Sequence, residues 1–423
     1  MKGSPRFILS AGCVAAAGLF FTMGQFEFLD VLGIKRPVQV LLLLFLAFAW
    51  APFFLLGLRN ALHEPLFLLL VAFLGIEVLV TKDTLTTIEM AVAASLSAIT
   101  FSLKDEESEI LLKSIVAISL SFAVLGILQF VILVLFPELT PYTISYRLQP
   151  EKGGDYHISH PIAYLGMTSG EVRSVLGLLV TRGQSFLREP SLITAYFFLP
   201  ALLSLTLQGK WKLAAVPLVI FCMLSLTGSF YAVVLIFLVL FPFFRSARFR
   251  QRPRFLTWAP LLGSLLAIFL ILQTNFFEEL VTLLFRNPLI VSQIDLLEFL
   301  DRWSSAIGRL QTVKAYILEA PLGGVVSSKI PTAVGLILFS YLKASVLGAG
   351  LMVGFLFQVF RENARRLAEG RLGAITAALL AALFCQASFF SIYGLTTASG
   401  FLILALTLQR LRHLRERPAS AGL

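Results

Sequence analysis

The sequence predicts an all-α, polytopic integral membrane protein with about twelve transmembrane helices and two large outer-face loops. Hydrophobic residues make up 58% of its 423 residues and charged residues only 14%, and the mean hydropathy is +0.88. A soluble chain of this length could not hide so much apolar surface from water. Apolar runs of membrane length also recur along the whole chain, and lysine and arginine concentrate in alternate connections between them. We therefore interpret residues 1–423 as a single integral membrane domain.

Hydropathy places the twelve predicted spans in order along the chain. They lie near residues 7–24, 37–58, 65–81, 86–103, 114–136, 190–207, 212–227, 230–244, 255–273, 333–358, 372–390 and 395–409. Alternation from a cytoplasmic N-terminus places both termini in the cytoplasm. The first run is interpreted as an uncleaved span, because no convincing small-residue cleavage site follows it. Cys13, Cys222 and Cys385 all fall within spans, which predicts buried thiols rather than a disulfide framework or a metal site.

The distribution of positive charge agrees with this orientation. Of the 34 lysine and arginine residues, 20 fall in short loops and tails that the alternation places inside. Cytoplasmic loops are enriched in lysine and arginine in just this way. The net charge of +10 is therefore mainly an orientation signal and does not indicate a nucleic-acid partner, although acidic lipid headgroups would favour the inner face.

Two segments on the outer side, residues 137–189 and 274–332, are much longer than every predicted inner connection. Binding or chemistry is therefore expected on the outer face, where no ATP is available. The prolines and glycines of the first segment predict irregular structure with turns rather than a long helix. His157 and His160 are three residues apart there, but no third ligand accompanies them, so no metal site is predicted.

The first long segment ends in the sequence RGQSFLREPS at residues 182–191. Pro190 suits the first position of a helix, so the next span is expected to begin there with free backbone amides that favour an anion. Arg182 and Arg188 add full charges, and their planar guanidinium groups match phosphate oxygens. Glu189 has two interpretations from the residues alone. It either complements the dipole at the helix start or acts as a general base.

The second long segment is predicted to contain an amphipathic surface helix at residues 291–319. Arg302, Arg309 and Tyr316 recur every seven residues and so share one face. That face could bind a polyanionic headgroup. Alternatively, Glu298 pairs with Arg302 and the helix merely lies among the lipid headgroups.

Few charged residues fall inside the predicted spans. Lys343 lies in the apolar run after the second long segment and either extends to the outer surface or lines a cavity. Glu77 and Glu89 lie near the outer ends of spans three and four, where they could pair with a site arginine or lie at the interface. The spans lack the acidic relay expected of an ion-coupled transporter.

The order of these motifs resembles the Wzy-type polysaccharide polymerases, in the superfamily that also holds the O-antigen ligases. The shared features are the span count, the ending FLREPS at 186–191, the serine-rich stretch LSLTGS at 224–229, and a later loop with Arg302-Trp303, Arg309 and PLGG at 321–324. The resemblance covers about residues 110–410 in layout and about thirty residues in motif. It implies a GT-C-like, metal-independent membrane glycosyltransferase.

The resemblance also implies a substrate and a site. A glycan carried on undecaprenyl diphosphate would be transferred onto the nonreducing end of another lipid-linked repeat unit, at the outer face of the bacterial plasma membrane. The residues expected to bind the substrate diphosphates are Arg182, Arg188, Arg302, Arg309 and Tyr316. Glu189 would act as the general base. No cofactor is implied, and the implied partners are the lipid-linked oligosaccharide, membrane lipids, a chain-length regulator and a flippase.

One departure bears on the choice within the superfamily. Its ligases typically carry a histidine in the later outer loop, whereas residues 274–332 contain none. This difference favours a polymerase over an O-antigen ligase, which would use a lipid A–core acceptor. A lipid-linked oligosaccharide flippase is the alternative that is not an enzyme. It should carry charged residues along a central cavity and a pseudo-twofold repeat, and the sequence shows no detectable internal repeat.

Overall fold

The computed structural model describes most of the hydrophobic part of the chain and parts of the first long segment. The described residues are 4–22, 34–81, 84–135, 142–147, 157–163, 166–175, 178–183, 192–225, 228–273, 317, 335–389, 395 and 397–414. Apart from residue 317, the second long segment lies outside them.

Among the described residues, five α-helices precede the first long segment. They are α1 (Ser4–Thr22), α2 (Lys35–Ala61), α3 (Pro65–Ile76), α4 (Thr84–Thr100) and α5 (Asp105–Leu135). Pro65 opens α3, where its missing N–H costs nothing, and α3 continues as a π-helical segment, Glu77–Thr81. Acidic residues in the first turn of α5 complement its dipole. The Glu107 carboxylate there accepts a hydrogen bond from the backbone N–H of Lys104 at 2.8 Å.

The remaining described helices follow the first long segment. They are α6 (Leu199–Ser204), α7 (Ala215–Leu224), α8 (Gly228–Arg245), α9 (Ala247–Arg250), α10 (Pro253–Gln273), α11 (Leu336–Ala368), α12 (Ala374–Phe389) and α13 (Ala398–His413). A π-helical segment, Thr194–Phe198, leads into α6, and a 3-10 segment, Gly209–Ala214, leads into α7. The Thr397 hydroxyl caps α13 by accepting a hydrogen bond from the N–H of Gly400.

Several of these helices have the length and composition of membrane spans. Three qualify on their own among the described residues: Asp105–Ile132, Pro253–Leu270 and Leu336–Ala368. The pair Gly209–Leu224 and Ser229–Arg245 qualifies together but bends by 115° at its break. The shorter apolar helices are Ser10–Thr22, Pro65–Leu79, Thr87–Thr100, Thr194–Ser204 and Ala374–Phe389. The protein is therefore membrane-embedded and helical, and a described helix overlaps each predicted span.

The first long segment departs from the predicted irregular structure. Its described parts form a four-stranded antiparallel sheet in the order β1 (Tyr142–Arg147), β2 (His157–Ala163), β3 (Gly166–Val175) and β4 (Leu178–Gly183). The connections β2–β3 and β3–β4 are two residues long, which suits hairpins. Pro161 of β2 pairs with Thr143 of β1 and precedes the residues of β2 that pair with β3. No pairing with β3 therefore depends on the N–H that proline lacks. Of the residues in these two connections only Gly177 is a typical turn former, while Pro161, Gly166 and Gly170 lie within strands. The all-α class therefore holds for the hydrophobic helices alone.

Helices α12 and α13 form the centre of the helical core. In α13, residues 401–406 are completely buried, and the helix packs against α1, α4, α5 and α11. Helix α12 packs against α8, α10 and α11. Large apolar side chains on outward faces, such as Phe48 of α2 and Val239 of α8, are well exposed. Exposed apolar faces around an apolar core are what a helical protein presents to lipid.

A buried arginine joins three elements at one end of this core. Arg410, near the end of α13, is completely buried. Its guanidinium group forms ion pairs with Asp105 and, at 3.7 Å, with Glu109, both in α5. It also donates a hydrogen bond to the carbonyl oxygen of Thr206 at 3.1 Å, just after α6. Such partners are needed because an unpaired charge is very costly to bury.

Two further arginines extend this cluster. Arg412 of α13 binds both oxygens of the Glu64 carboxylate, at 2.6 and 3.0 Å. Arg366 of α11 is buried and donates to Glu362 at 2.9 Å and to Glu369 at 2.8 Å. The end of the core formed by these three arginines and their partners is the arginine end. The opposite end, where the two long segments attach, is the loop end.

Helix α11 is broken near the loop end. Ala344 (φ −134°, ψ 26°) and Ser345 (φ 63°, ψ −165°) leave the helical conformation. The positive φ of Ser345 is unfavourable for a residue with a side chain. Gly348 permits the break, because a Cβ there would overlap the carbonyl oxygen of Ser340. Ser340 and Gly348 are eight residues apart, and in a continuous helix they would be separated by about 12 Å. Their close contact therefore shows that the two parts of α11 meet at a sharp angle.

Candidate functional site

The structure describes little of the predicted site itself. Arg182 lies in β4, where the backbone path is described. The other five predicted site residues all lie outside the described residues: Arg188, Glu189, Arg302, Arg309 and Tyr316. Their mutual geometry stays a prediction. The helical frame that receives them is described from Leu192 onward.

The helix after the RGQSFLREPS sequence begins deep in the protein. Residues 192–199 are all buried, and they include the π-helical segment Thr194–Phe198. The Thr194 hydroxyl forms a hydrogen bond of 2.8 Å with the hydroxyl of Ser229, at the start of α8. Ser229 closes the serine-rich stretch at 224–229. Thr194, three residues after the RGQSFLREPS sequence, is therefore in direct contact with the last residue of the serine-rich stretch, 35 residues further along the chain.

A second group of buried hydroxyls lies next to this contact. Tyr196 is completely buried, and its hydroxyl forms a hydrogen bond of 2.6 Å with Ser399 of α13. Ser399 in turn forms a hydrogen bond of 2.9 Å with Thr397. The Ser119 hydroxyl of α5 donates to the carbonyl oxygen of Tyr196 at 2.9 Å. These bonds fix the start of the helix that follows Glu189, and π-helical segments of this kind are frequent at functional sites.

A buried ion pair completes the loop end. Lys343 Nζ lies 2.7 Å from Oε1 of Glu77, and the two side chains are 14% and 5% exposed. The ammonium group also lies over the rings of Phe73 and Phe339, at 5.6 and 5.8 Å from their centroids. Phe73 contacts the ring of Phe401 in α13 at 6.0 Å. The ion pair and the cluster of buried hydroxyls around Ser399 are therefore parts of one packed region.

The charged residues of this region are visible in the sequence, but its buried hydroxyls are not. Lys343 was predicted to reach the surface or line a cavity, and Glu77 to pair with an arginine or lie at the interface. The structure instead buries Glu77 and pairs it with Lys343. Thr194 and Tyr196 were missed, because a hydropathy average conceals single hydroxyls in an apolar run. Their signal was the spacing, since both follow Glu189 within seven residues.

Two buried amides near the loop end have no hydrogen-bond partner among the residues that the structure describes. They belong to Gln129 in α5 and Gln386 in α12, and both side chains are completely buried. Gln386 lies one turn before the end of α12, where Ser388 and Phe389 pack against Gly335 at the start of α11. Unpaired buried amides are rare, and each needs a physical reason such as a ligand or an ordered water.

Replacing Gln386 by methionine is expected to stabilise the folded protein by about 1–2 kcal/mol, because a buried amide without a partner carries a desolvation cost of about 1–3 kcal/mol. Methionine has a similar length and no polar atoms. Thermal unfolding in detergent can be followed with a thiol-reactive dye, since Cys13, Cys222 and Cys385 are buried and free.

The matched control for this prediction is Gln409→Met. The Gln409 amide donates to the carbonyl oxygen of Leu103 at 2.8 Å, so the same substitution should destabilise the protein by about 1–3 kcal/mol. Equal losses in the two variants would show that Gln386 has a partner in the folded state.

Neither a metal centre nor a relative guides the assignment. Within the described ranges, no group of three or more His, Cys, Asp or Glu side chains is close enough to hold a metal ion. The chain matches no protein-family model, no curated protein and no solved structure.

Proposed function

We propose that this protein is a metal-independent membrane glycosyltransferase that polymerises a surface polysaccharide. It would transfer a glycan from undecaprenyl diphosphate onto the nonreducing end of another lipid-linked repeat unit. The observation that carries the proposal is the 2.8 Å hydrogen bond between Thr194 and Ser229. It joins the helix that directly follows the FLREPS motif to Ser229 of the serine-rich stretch, and the resemblance to the Wzy-type polymerases rests on both of these motifs.

The proposal includes twelve spans, with both termini in the cytoplasm and the site on the outer face of the bacterial plasma membrane. Two kinds of contact support the alternation. At the arginine end, Arg410 meets Asp105, and at the loop end, Tyr196 meets Ser399. Each contact joins helix ends that the alternation assigns to one side. The concentration of arginine at one end agrees with the orientation, because cytoplasmic faces are rich in lysine and arginine.

In the proposed reaction, Glu189 takes the proton from an acceptor sugar hydroxyl. The hydroxyl oxygen attacks the donor's anomeric carbon with inversion, and the bond from that carbon to the diphosphate oxygen breaks. Undecaprenyl diphosphate leaves with the bonding electron pair. Arg302 and Arg309 hold the donor diphosphate, together with Arg182 or Arg188. A preorganised positive site of this kind stabilises the leaving group without a metal.

Glu189→Gln is expected to abolish long polysaccharide chains, because the amide is nearly isosteric but cannot accept the acceptor's proton. Loss of a general base typically lowers the rate by about 10²–10⁴-fold. Surface glycan from a deletion host carrying the variant would be resolved by chain length, with protein abundance measured in the same membranes. Glu171→Gln, in β3, is the control and should leave chain length unchanged. Normal chains at normal abundance would remove Glu189 from the base role.

A lipid-linked oligosaccharide flippase is the second candidate, and one observation favours it. Lys343 and Glu77 form an ion pair inside the helical core, next to the break in α11. Paired charges at a discontinuous helix are a recurrent feature of transporters. A deletion strain separates the two functions. Loss of the polymerase leaves single repeat units on the outer face, whereas loss of the flippase leaves them on the inner face.

A further inference from the structure

The ion pair between Lys343 and Glu77 has no part in the mechanism above. Its charges are separated by 2.7 Å and lie among Phe73, Phe339 and Phe401, in surroundings where electrostatic interactions are strong. Buried ion pairs contribute little net stability, because the desolvation of both charges offsets their attraction. A pair kept inside a membrane segment is therefore a candidate functional site.

The depth of the pair places it near the loop end. Residues 346–360 of α11 form a charge-free helical stretch between Lys343 and the arginine end. This stretch of 15 residues is about 22 Å long, against about 30 Å for the hydrocarbon core of a bilayer. Residues 65–76 of α3 separate Glu77 in the same way from Glu64, which binds Arg412. The pair thus lies in the half of the bilayer nearer the loop end, about 8 Å from the edge of the hydrocarbon core along α11.

Lys343 and Glu77 differ in solvent exposure and in the backbone that carries them. Lys343 is 14% exposed and Glu77 5%, so an incoming group meets the ammonium first. Ala344 and Ser345, which follow Lys343 directly, are outside the helical conformation. Lys343 is therefore not held by a continuous helix on its C-terminal side.

We propose that Lys343 binds the phosphate of the polyprenyl-linked substrate and that Glu77 is its counter-ion in the resting protein. This inference rests on the proposed function, since it specifies how the same loop-end site takes up its lipid-linked substrate. Phosphate replaces the carboxylate as the anion against Lys343. The ammonium is already desolvated by Phe73 and Phe339, so exchange of one anion for another avoids a second desolvation of the cation.

The test measures binding of undecaprenyl phosphate to the full-length protein in detergent by native mass spectrometry. Lys343→Met should weaken binding at least about 10-fold, since one charge-assisted phosphate contact is lost. Glu77→Gln should strengthen it about 10-fold, because a competing anion is removed. The opposite signs distinguish the proposal from a purely structural pair, whose loss on either side would affect the protein in the same direction. Equal or absent effects on binding would overturn it.

Two further variants guard against a folding artefact. Glu77→Met combined with Lys343→Met removes both charges of the pair and should fold, yet bind as weakly as Lys343→Met. Glu64→Gln breaks the ion pair with Arg412 at the arginine end and should leave lipid binding unchanged. Strong binding by the double variant, or weakened binding by Glu64→Gln equal to that of Lys343→Met, would refute the assignment.

The source of the phosphate is decided by competition. Inorganic pyrophosphate at the same concentration should displace less than half of the lipid, and complete displacement would overturn a lipid-phosphate site. The outcome is also separable from that of the proposed function. Unchanged binding in the Lys343 and Glu77 variants, with polymer lost in Glu189→Gln, would refute this inference alone. Normal polymer in Glu189→Gln with the expected binding changes would refute the assigned base alone.

Discussion

Arg410→Met is expected to destabilise the protein by about 3–5 kcal/mol, a large fraction of the net stability of a typical domain. The substitution leaves Asp105 and Glu109 without the completely buried guanidinium group that they face. It also removes the bond to the carbonyl oxygen of Thr206, which connects α13 to α6. Thermal unfolding in detergent, followed by the reactivity of the buried cysteines, measures the loss.

Arg365→Met is the matched control on the same end of the core. Arg365 pairs with Glu369 at 2.9 Å, but its side chain is 37% exposed, so its loss should cost less than about 1 kcal/mol. A partial rescue is expected when Arg410→Met is combined with Asp105→Asn, because the carboxylate charge that faced the guanidinium group is then removed as well. An Arg410→Met protein as stable as Arg365→Met would contradict the structural role of this cluster.

The arginine end shows what sequence could and could not predict. The acidic start of α5 and the basic end of α13 were both visible, and both suit the dipoles of their helices. The pairing of these two helix ends could not be predicted, because Asp105 and Arg410 are 305 residues apart in the chain. Hydropathy locates apolar segments, but it carries no information about which segments are neighbours.

The loop end was harder to predict for local reasons. The break in α11 falls at Ala344 and Ser345, neither of which is the glycine or proline that usually marks such a break. The π-helical segments at Glu77–Thr81 and Thr194–Phe198 do not differ from ordinary helix in hydropathy or in helix start and stop signals. The strands were missed because prolines and glycines usually signal turns, whereas Pro161, Gly166 and Gly170 lie within strands.

These features meet in one region of the protein. The π-helical segment Glu77–Thr81, the broken helix α11 and the π-helical segment Thr194–Phe198 are linked through Phe73, Phe401 and Ser399. Departures from regular helix cost free energy and persist where surrounding packing determines them. Their concentration around the helix that follows Glu189 supports a functional site at the loop end, independently of the resemblance on which the residue roles were first assigned.

Arg309→Ala is expected to lower polymer formation by about 10²–10³-fold, the range seen when one group that stabilises a developing anion is removed. The leaving diphosphate gains charge as the glycosidic bond breaks, and a planar guanidinium group can donate two parallel hydrogen bonds to it. Purified protein in proteoliposomes with lipid-linked repeat units gives the rate, and surface glycan from a deletion host gives the chain length.

Arg173→Ala is the comparison, because it removes the same charge from the other long segment. Arg173 lies in β3, paired with Val180 of β4, and the proposed reaction assigns it no diphosphate role. Its loss should change the rate by less than about 3-fold, the range expected for a solvated charge that acts only through long-range attraction. Equal, mild effects of the two substitutions would eliminate the donor site assigned to the second long segment. A severe effect of Arg173→Ala alone would move the diphosphate site to the sheet.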